Sequence, residues 1–270
     1  MKSVSVIMSV YNEELDTIRR AIDSILQQTF KDFEIIIVID NPNNVEAIKF
    51  ISEISITNDN LSYIINPKNI GLPASLNKAI KLANGEYIAR QDADDKSHVD
   101  RLEKQMTFIR ENYEIGVLGT SLAYTEDKTN KVLFTRKYSP IVGSEIKKHN
   151  PLAHPTLVIR KEYFELYGYY DETNSRFAED YDLWFRWYNQ GVKFYNMNDV
   201  LYTYYQSGEN KKNKNTKKQL KATIKVKLRY STTFKFGLID YVILLIEMML
   251  LFLPNRLIVF LFYFIKGKQA

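Results

Sequence analysis

The hydrophobic residues of this chain fall into short blocks that predict strands and helices in alternation. Apolar runs of strand length cover residues 4–10, 33–39 and 61–65, and a fourth run ends in a cluster of acids. The run at 33–39 is nearly continuous β-branched sequence, which is typical of parallel strands buried on both faces. Apolar residues within 18–26 recur at the spacing of one helix face. The pattern predicts a doubly wound α/β sheet with helices on both faces.

Polar side chains follow the predicted strands where a ligand would be expected. A helix is predicted over residues 73–83, because Pro73 suits a first helical position and Gly85 closes the segment. The strand after this helix ends in Asp92–Asp95, and the second strand ends at Asp40. In open α/β sheets, ligands bind beyond the carboxyl ends of the strands. The functional site is therefore expected around these acids.

The acidic segment Asp92-Ala93-Asp94-Asp95 suggests a cation site. Asp92 and Asp94 point to the same side of a strand, because strand side chains alternate. Two like charges so placed repel each other, and a bound cation would neutralise them; hard oxygen ligands suit Mg²⁺ or Mn²⁺. The alternative is a solvated acidic turn, in which Asp95 caps a helix that begins at about His98.

Several short motifs resemble family 2 glycosyltransferases in their order and spacing. In chain order they are Ser5–Asn12, Asp40, Asn69–Asn77, Asp92–Asp95, Asp100–Leu102, His154–Thr156 and Glu179–Asp180. The resemblance extends over roughly residues 3–205. It implies a GT-A fold with a Rossmann-like, predominantly parallel sheet, a nucleotide-sugar donor, a divalent cation and inversion at the anomeric carbon.

The resemblance also implies roles for individual acids. Asp94 matches the metal-ligating position of the family, and Asp92 matches its partner near the ribose and the metal. Inverting transfer needs a base that takes the proton from the attacking hydroxyl, and Asp180 is the candidate. A helix is predicted to open at this segment, and its dipole favours an ionised carboxylate there. An ordinary first-turn acid is the alternative, and Glu179 and Asp182 are the other candidate bases.

The donor nucleotide is expected to bind at the strand ends. Tyr11 is predicted to lie against a pyrimidine ring, and Asp40 to accept a hydrogen bond from its N3–H. The alternative makes Asp40 a turn former before Asn41 and Pro42. The other residues predicted to bind the donor are Ser9, Glu13, Asn69, Asn77 and Asp92. For Asn69 and Asn77, the alternative is a structural role in the turn before the helix.

On the acceptor side the resemblance implies His154 and Trp184, although an aromatic residue on a helix face is more often part of the core. The chain departs from the family pattern at Tyr204–Ser207. Family members often have a Tyr-Arg-x-His-like segment there, and this chain has Tyr-Tyr-Gln-Ser. The third ligand of the cation is therefore left open.

Composition divides the chain into two parts. The 270 residues suffice for one sizeable α/β domain and an appendage, and there is no cysteine for a disulfide or a thiolate site. Residues 211–270 carry 13 Lys or Arg against 2 Asp or Glu, a net charge of +11. Because the whole chain carries +5, the first 210 residues carry −6. We expect a GT-A domain over 1–210 and a helical tail over 211–270.

The tail is predicted to associate with a membrane. Its apolar runs, 241–253 and 257–265, are separated by Pro254-Asn255-Arg256, and each is shorter than the ~20 residues of a spanning helix. Two interfacial helices or a re-entrant hairpin fit better, with Lys and Arg drawn to anionic headgroups. The alternative is a helical tail that packs on the catalytic domain or on a second copy in a homodimer. A nucleic-acid partner is disfavoured, because aromatic residues are scarce in the basic run.

These observations predict an inverting, metal-dependent hexosyl- or N-acetylhexosaminyltransferase. It would move a sugar from a UDP-sugar to a hydroxyl of a lipid-linked saccharide in cell-surface polysaccharide biosynthesis. The N-terminal run lacks a signal-peptide pattern, so the expected location is cytoplasmic, peripheral on the inner face of the cell membrane.

Two other functions remain open on the sequence. A sugar-phosphate nucleotidyltransferase would want a Gly-rich basic loop after the first strand, where this chain has Ser9–Glu13. A non-catalytic sugar-nucleotide-binding protein would not need Asp92, Asp94 and Asp180 together.

Overall fold

The computed structural model describes residues 2–206, 208–258 and 261, with backbone alone for 208–214. The strands are β1 (Val4–Val10), β2 (Phe33–Ile39), β3 (Leu61–Ile65), β4 (Tyr87–Asp92), β5 (Lys96–Ser97), β6 (Ile115–Glu126), β7 (Val132–Arg136), β8 (Val158–Arg160) and β9 (Lys193–Gln206). The helices are α1 (Leu15–Leu26), α2 (Val45–Thr57), α3 (Leu72–Leu82), α4 (Arg101–Glu111), α5 (Glu162–Tyr167), α6 (Glu179–Asn189), α7 (Gly208–Tyr230) and α8 (Leu238–Leu250). The alternation of strands and helices predicted for the first 100 residues is confirmed.

The strands form one mixed sheet whose first half is parallel. Its order is β3-β2-β1-β4-β8-β6-β9-β5, with β7 paired to β6. The strands β3, β2, β1 and β4 run parallel, and Ser9 of β1 lies beside Val38 of β2 and Asp92 of β4. The carboxyl ends of these strands therefore meet at one edge. Beyond β4 the sheet changes direction, because β8 is antiparallel to both β4 and β6.

Each face of the sheet carries its own hydrophobic core. Alternate residues of β1 and β2 enter different cores: Ile7 and Ile36 face one, whereas Val6 and Ile35 face the other. This division follows from the period of two along a strand. Helices cover both faces, as the continuous apolar runs predicted.

The segment after the acidic cluster differs from the prediction. The short strand β5 intervenes, and α4 begins at Arg101 rather than at about His98. The carboxylate of Asp95 accepts a hydrogen bond from the backbone N–H of Tyr205 at 2.9 Å. Asp95 therefore ties the acidic segment to β9 and does not cap the helix.

Helix α7 packs directly on the catalytic domain. The ring of Tyr230 stacks on Phe185 of α6 with centroids 5.3 Å apart, and Ala222 and Val226 belong to the same core as Phe185. Helix α8 rests on α7 through Leu244. A division at residue 210 would therefore expose apolar surface that the two parts share.

The tail offers no spanning element within the part of the chain that the structure describes: none of its helices there is both long and apolar enough to cross a bilayer. Most of the second predicted apolar run, 257–265, lies outside the described residues.

Candidate active site

Three carboxylates converge at the end of β4. One oxygen from each of Asp92, Asp94 and Asp95 lies within 4.8 Å of the others. Strand β4 delivers Asp92 to the edge of the sheet, and the turn that follows folds the other two carboxylates back towards it. Asp94 is exposed and Asp95 is fully buried, so the cluster reaches from solvent into the protein.

The residues of this cluster fit a divalent cation. Oδ2 of Asp95 is buried and has no hydrogen-bond partner among the residues that the structure describes, which is costly for a carboxylate oxygen unless a ligand completes it. Although part of the Asp94 side chain reaches solvent, the surrounding protein desolvates its carboxylate; this desolvation and the negative charges of Asp92 and Glu13 raise the pKa of Asp94 to about 7. Burial and the charges of Asp92 and Asp94 also raise the pKa of Asp95. A hard cation held by these oxygens would relieve both the repulsion and the missing contact.

A buried arginine lies beside the three carboxylates. The guanidinium of Arg90 in β4 forms an ion pair with Oδ1 of Asp92, and its side chain is only 4% exposed. Burial alone would lower the pKa of Arg90, but the charge and hydrogen bond of Asp92 together with the nearby Tyr202 and Tyr170 raise it above its ordinary value. Arg90 therefore supplies a fixed positive charge and holds Asp92 in place.

A second pair of acids opens helix α6. Oδ1 of Asp180 accepts a hydrogen bond from the N–H of Tyr181, and Oδ2 accepts one from Nδ2 of Asn150, both at 2.7 Å. Burial raises the pKa of Asp180 although these bonds and the charge of Arg90 oppose the shift. Burial and the nearby Asp180 raise the pKa of Glu179 to about 7. The pair is thus poised to exchange a proton near neutral pH.

His154 lies in a short 3₁₀ turn, His154–Thr156. Its Nε2 is 2.8 Å from the hydroxyl of Tyr170. Burial and the charge of Arg90 lower the pKa of His154 well below its ordinary value. The imidazole is therefore neutral at physiological pH and serves as a hydrogen-bonding group rather than as a cation.

Comparison with known proteins identifies the family. The family model described as Glycosyl transferase family 2 matches residues 5–168, more than half of the chain. The chain belongs to glycosyltransferase family 2. A relative, the O-antigen biosynthesis glycosyltransferase WbnJ of Escherichia coli, is 32% identical over 211 residues, which cover 74% of this chain and 78% of WbnJ.

Solved structures of glycosyltransferases share the fold. TarS of S. aureus in complex with UDP has a TM-score of 0.63 at 21% identity, over 84% of this chain and 65% of the TarS chain. This chain thus spans slightly less than two thirds of that neighbour. The mannosyltransferase PcManGT from Pyrobaculum calidifontis, in complex with GDP-Man and Mn²⁺, has a TM-score of 0.65 at 16% identity, over 93% and 70% of the two chains. These similarities confirm the predicted GT-A fold class.

Two residues that the family pattern implied for the donor are held by the protein itself. Asp40 is 3% exposed and accepts hydrogen bonds from Asn66, from the N–H of Ile70 and from the N–H of Gly71, each at 2.9 Å. It thereby fixes the loop before α3, where Gly71 has a φ of +88° that favours glycine. A direct contact of Asp40 with the donor base stays a prediction.

Asn77 has a structural place in this family 2 domain. Its Nδ2 donates to the carbonyl of Tyr170 at 2.9 Å and to Glu172 at 2.8 Å, and its Oδ1 accepts from the N–H of Tyr170 at 3.1 Å. The amide is buried and makes three hydrogen bonds within the protein. A contact of Asn77 with the donor stays a prediction. Asn77 joins α3 to the loop that carries Tyr170, the partner of His154.

Other predicted donor residues do reach the open edge of the sheet. Tyr11 is 42% exposed just beyond β1, and its ring is free to receive a planar base. Ser9 is partly buried beside Asp92, and Asn69 is exposed on the loop before α3. Glu13 accepts a hydrogen bond from the N–H of Tyr11 at 2.6 Å and borders the same hollow as Asp94.

Two predicted side chains on the acceptor side face the interior. The indole of Trp184 is 0% exposed and packs edge-on against His154, so it offers no surface to an acceptor. Asp182 is also buried, and its carboxylate pairs with Arg186 and Arg229. It fastens α7 to α6, and the role of a fallback base is wrong for it in this arrangement.

Three functional candidates escaped the sequence reasoning. The sequence does contain an indication for Arg90, since a charged residue within an otherwise apolar strand is unusual. Asn150 and Arg20 gave none, because their partners lie far away in sequence. Arg20 lies 3.6 Å above the ring of Tyr205 and donates to the carbonyl of Asp94 at 2.7 Å. It brings a cation to the segment where this chain lacks the arginine of the family pattern.

Proposed function

We propose that this glycosyltransferase is inverting, metal-dependent and specific for a UDP-sugar. The observation that carries this proposal is the proximity of Arg90 to two groups of acids. Its charge lowers the pKa of Asp94 on the donor side and of Asp180 on the acceptor side, opposing the effect of burial on both. Because such effects weaken with distance, the two groups belong to one site.

In the proposed reaction, Asp180 takes the proton from an acceptor hydroxyl as that oxygen attacks the anomeric carbon. The new glycosidic C–O bond forms on the face opposite the leaving group. The bond between the anomeric carbon and the β-phosphate oxygen breaks, and UDP leaves with its electron pair. A single displacement of this kind inverts the anomeric configuration. Each oxygen of Asp180 accepts one hydrogen bond and keeps a lone pair for the proton.

The residues that would hold Mg²⁺ or Mn²⁺ are Asp92, Asp94 and Asp95. When bound, the ion would neutralise charge that develops on the leaving diphosphate. Arg90 keeps Asp92 oriented for this purpose. The Mn²⁺ bound to PcManGT supports a metal at a GT-A site, and the UDP bound to TarS supports the choice of donor nucleotide. The transferred sugar is a hexose or an N-acetylhexosamine.

The proposed acceptor is a lipid-linked saccharide in cell-surface polysaccharide biosynthesis, at the inner face of the cell membrane. The O-antigen relative supports the pathway class. Helix α8 supports the location, because it exposes a row of apolar side chains: Leu238, Ile239, Leu245, Ile246, Met249 and Phe252. An exposed patch of this kind beside a tail of net charge +11 fits an anionic membrane surface. The alternative is that a second copy of the chain covers this apolar face of α8.

A donor screen tests the proposal. Purified protein would be incubated with UDP- and GDP-sugars, Mn²⁺ and alkyl glycosides as probe acceptors, and the released nucleoside diphosphate would be measured. We expect acceptor-dependent release from a UDP-sugar that chelator abolishes. Tight binding of UDP-sugars without any release would favour a non-catalytic binding protein instead.

A further inference from the structure

The loop of residues 146–152 contacts both the proposed base, Asp180, and the C-terminal helix α7. Asn150 donates from Nδ2 to Oδ2 of Asp180 at 2.7 Å. The other end of the same amide accepts a hydrogen bond from the N–H of Leu152 at 3.3 Å. Since both ends of the amide are engaged, the position of the loop backbone decides where Asn150 holds the carboxylate.

A buried lysine of α7, Lys227, forms a hydrogen bond to the backbone of this loop. Nζ of Lys227 donates to the carbonyl of Lys148 and to Oε1 of Glu247, both at 2.6 Å. The side chain of Lys227 is 1% exposed. A buried ammonium is costly without its partners, so these two contacts fix where it lies. Glu247 belongs to α8, so both helices of the tail take part.

Two further contacts close the loop against the domain. The hydroxyl of Tyr181, next to Asp180, donates to the carbonyl of Ile146. Asn196 of β9 donates to the carbonyl of Pro151 at 3.2 Å. The segment between Ile146 and Pro151 is thus anchored at each end, and Lys227 supports its middle.

We propose that Asn150 and Lys227 are positioning residues for Asp180, so that α7 and α8 are part of the catalytic apparatus. Lys227, held by Glu247, fixes the carbonyl of Lys148, and the loop then presents Asn150 to the carboxylate. The inference rests on the proposed function, in which Asp180 is the base. It gives the tail a role in turnover that does not depend on a membrane.

The effect on the base has a definite sign. The groups that face Asp180 are Glu179 on its own helix, Arg90 of β4, and the tyrosines Tyr138, Tyr170 and Tyr181. The hydrogen bond from Asn150 favours the ionised carboxylate, so its loss raises the pKa of Asp180 further. The acid limb of a kcat profile should then move to higher pH.

The experiment compares Asn150→Ala and Lys227→Met with wild type, using UDP release from UDP-glucose and UDP-N-acetylglucosamine with alkyl glycosides. Lys225→Met, an exposed change two residues away, is the matched control. We expect a loss in kcat of about 10- to 100-fold for Asn150→Ala with donor KM nearly unchanged, a smaller loss for Lys227→Met, and none for the control. Lys227→Arg keeps the charge and the donors and should retain most of the rate.

Amide hydrogen exchange provides a readout that needs no turnover. In Lys227→Met, the amides between Ile146 and Leu152 should exchange faster, while those of β1 stay protected. Unchanged exchange, or an Asn150→Ala variant with the wild-type rate and pH profile, would overturn the positioning role. Asn150→Ala leaves the contact between Lys227 and Lys148 intact. It therefore tests the effect of Asn150 on Asp180 even where Lys227→Met fails to fold. A wild-type chain that releases no UDP at all would instead contradict the proposed function.

Discussion

At the scale of single residues, the site is defined by acids that hold their protons unusually tightly. The pKa values of Asp94 and Glu179 both rise to about 7, in each case through burial first and a neighbouring carboxylate second. Each group of acids therefore requires a cation or a proton close to neutral pH. The charge of Arg90 opposes the rise in pKa of both acids.

The first prediction concerns the cation. Asp94→Asn keeps the size of the side chain and removes a charged ligand, so turnover should fall by about 10²-fold or more, as for the loss of other groups that stabilise transition-state charge. UDP release in the presence of Mn²⁺ would measure it, with the exposed Asp16→Asn as control. Equal turnover in variant and wild type, both insensitive to chelator, would contradict a metal-dependent reaction.

The second prediction concerns the base. Asp180→Asn retains shape without basicity, so kcat should fall by about 10²-fold or more while donor affinity survives. In the wild type, kcat should decline as the pH falls, because the base becomes protonated. Burial raises the pKa of Asp180, so the midpoint of the decline should lie above the ordinary value of 3.8.

The pH profile of kcat and calorimetric donor binding would check this. Glu179→Gln is the comparison variant, since its pKa is also raised. A near wild-type rate in Asp180→Asn, with a large loss in Glu179→Gln, would transfer the role to Glu179.

At the scale of elements, local pattern predicted the parallel half of the sheet and not the rest. Strands β1, β2 and β3 have the predicted bounds, because their apolar runs are uninterrupted and end in polar turns. Strand β8 has three residues, and its pairing between β4 and β6 depends on contacts between distant segments. No periodicity in so short a segment identifies its partners.

The same limit applies to the candidate site. The motifs located the acids of β4 and α6, because each follows an element boundary that is visible in the sequence. They did not locate Asn150, which meets Asp180 across 30 residues of chain. They also did not show that Asn77 joins α3 to the loop of Tyr170, because Tyr170 lies 93 residues further along the chain.

The third prediction concerns the contact between α7 and α8. Glu247→Leu leaves Lys227 buried without its counter-ion, and the expected loss in unfolding free energy is about 3 kcal/mol. Urea denaturation would measure it. The double variant Lys227→Met/Glu247→Leu removes both charges and should recover most of that stability. The kcat of this double variant should nevertheless be below that of wild type, because Lys227→Met removes the donor to the carbonyl of Lys148. Wild-type stability in Glu247→Leu would show that the ion pair contributes little.

At the scale of the whole molecule, charge and apolar surface are concentrated at one end of the chain. The first 210 residues carry −6 and the remainder +11. Helix α7 packs into the core of the domain, and α8 packs on α7. The apolar face of α8 therefore has a fixed position relative to the domain.

The fourth prediction tests that surface. Leu245→Glu/Met249→Glu places two negative charges on the exposed face of α8 and should abolish flotation with vesicles that contain anionic lipid. Ile56→Glu, a change at an 80% exposed apolar residue of α2, should leave flotation unchanged. Salt should weaken the initial attraction of the wild type, because it screens exposed charges. A wild-type chain that never floats with such vesicles would favour a second copy on this face.

The anomeric configuration of the product tests the central claim most directly. A UDP-sugar with an α-linked donor bond would be supplied with Mn²⁺ and an alkyl glycoside, and the product would be examined by proton NMR. A single displacement assisted by Asp180 predicts a β-glycoside, formed in equal amount to the UDP released. An α-glycoside, or UDP release without a new glycosidic bond, would contradict the account.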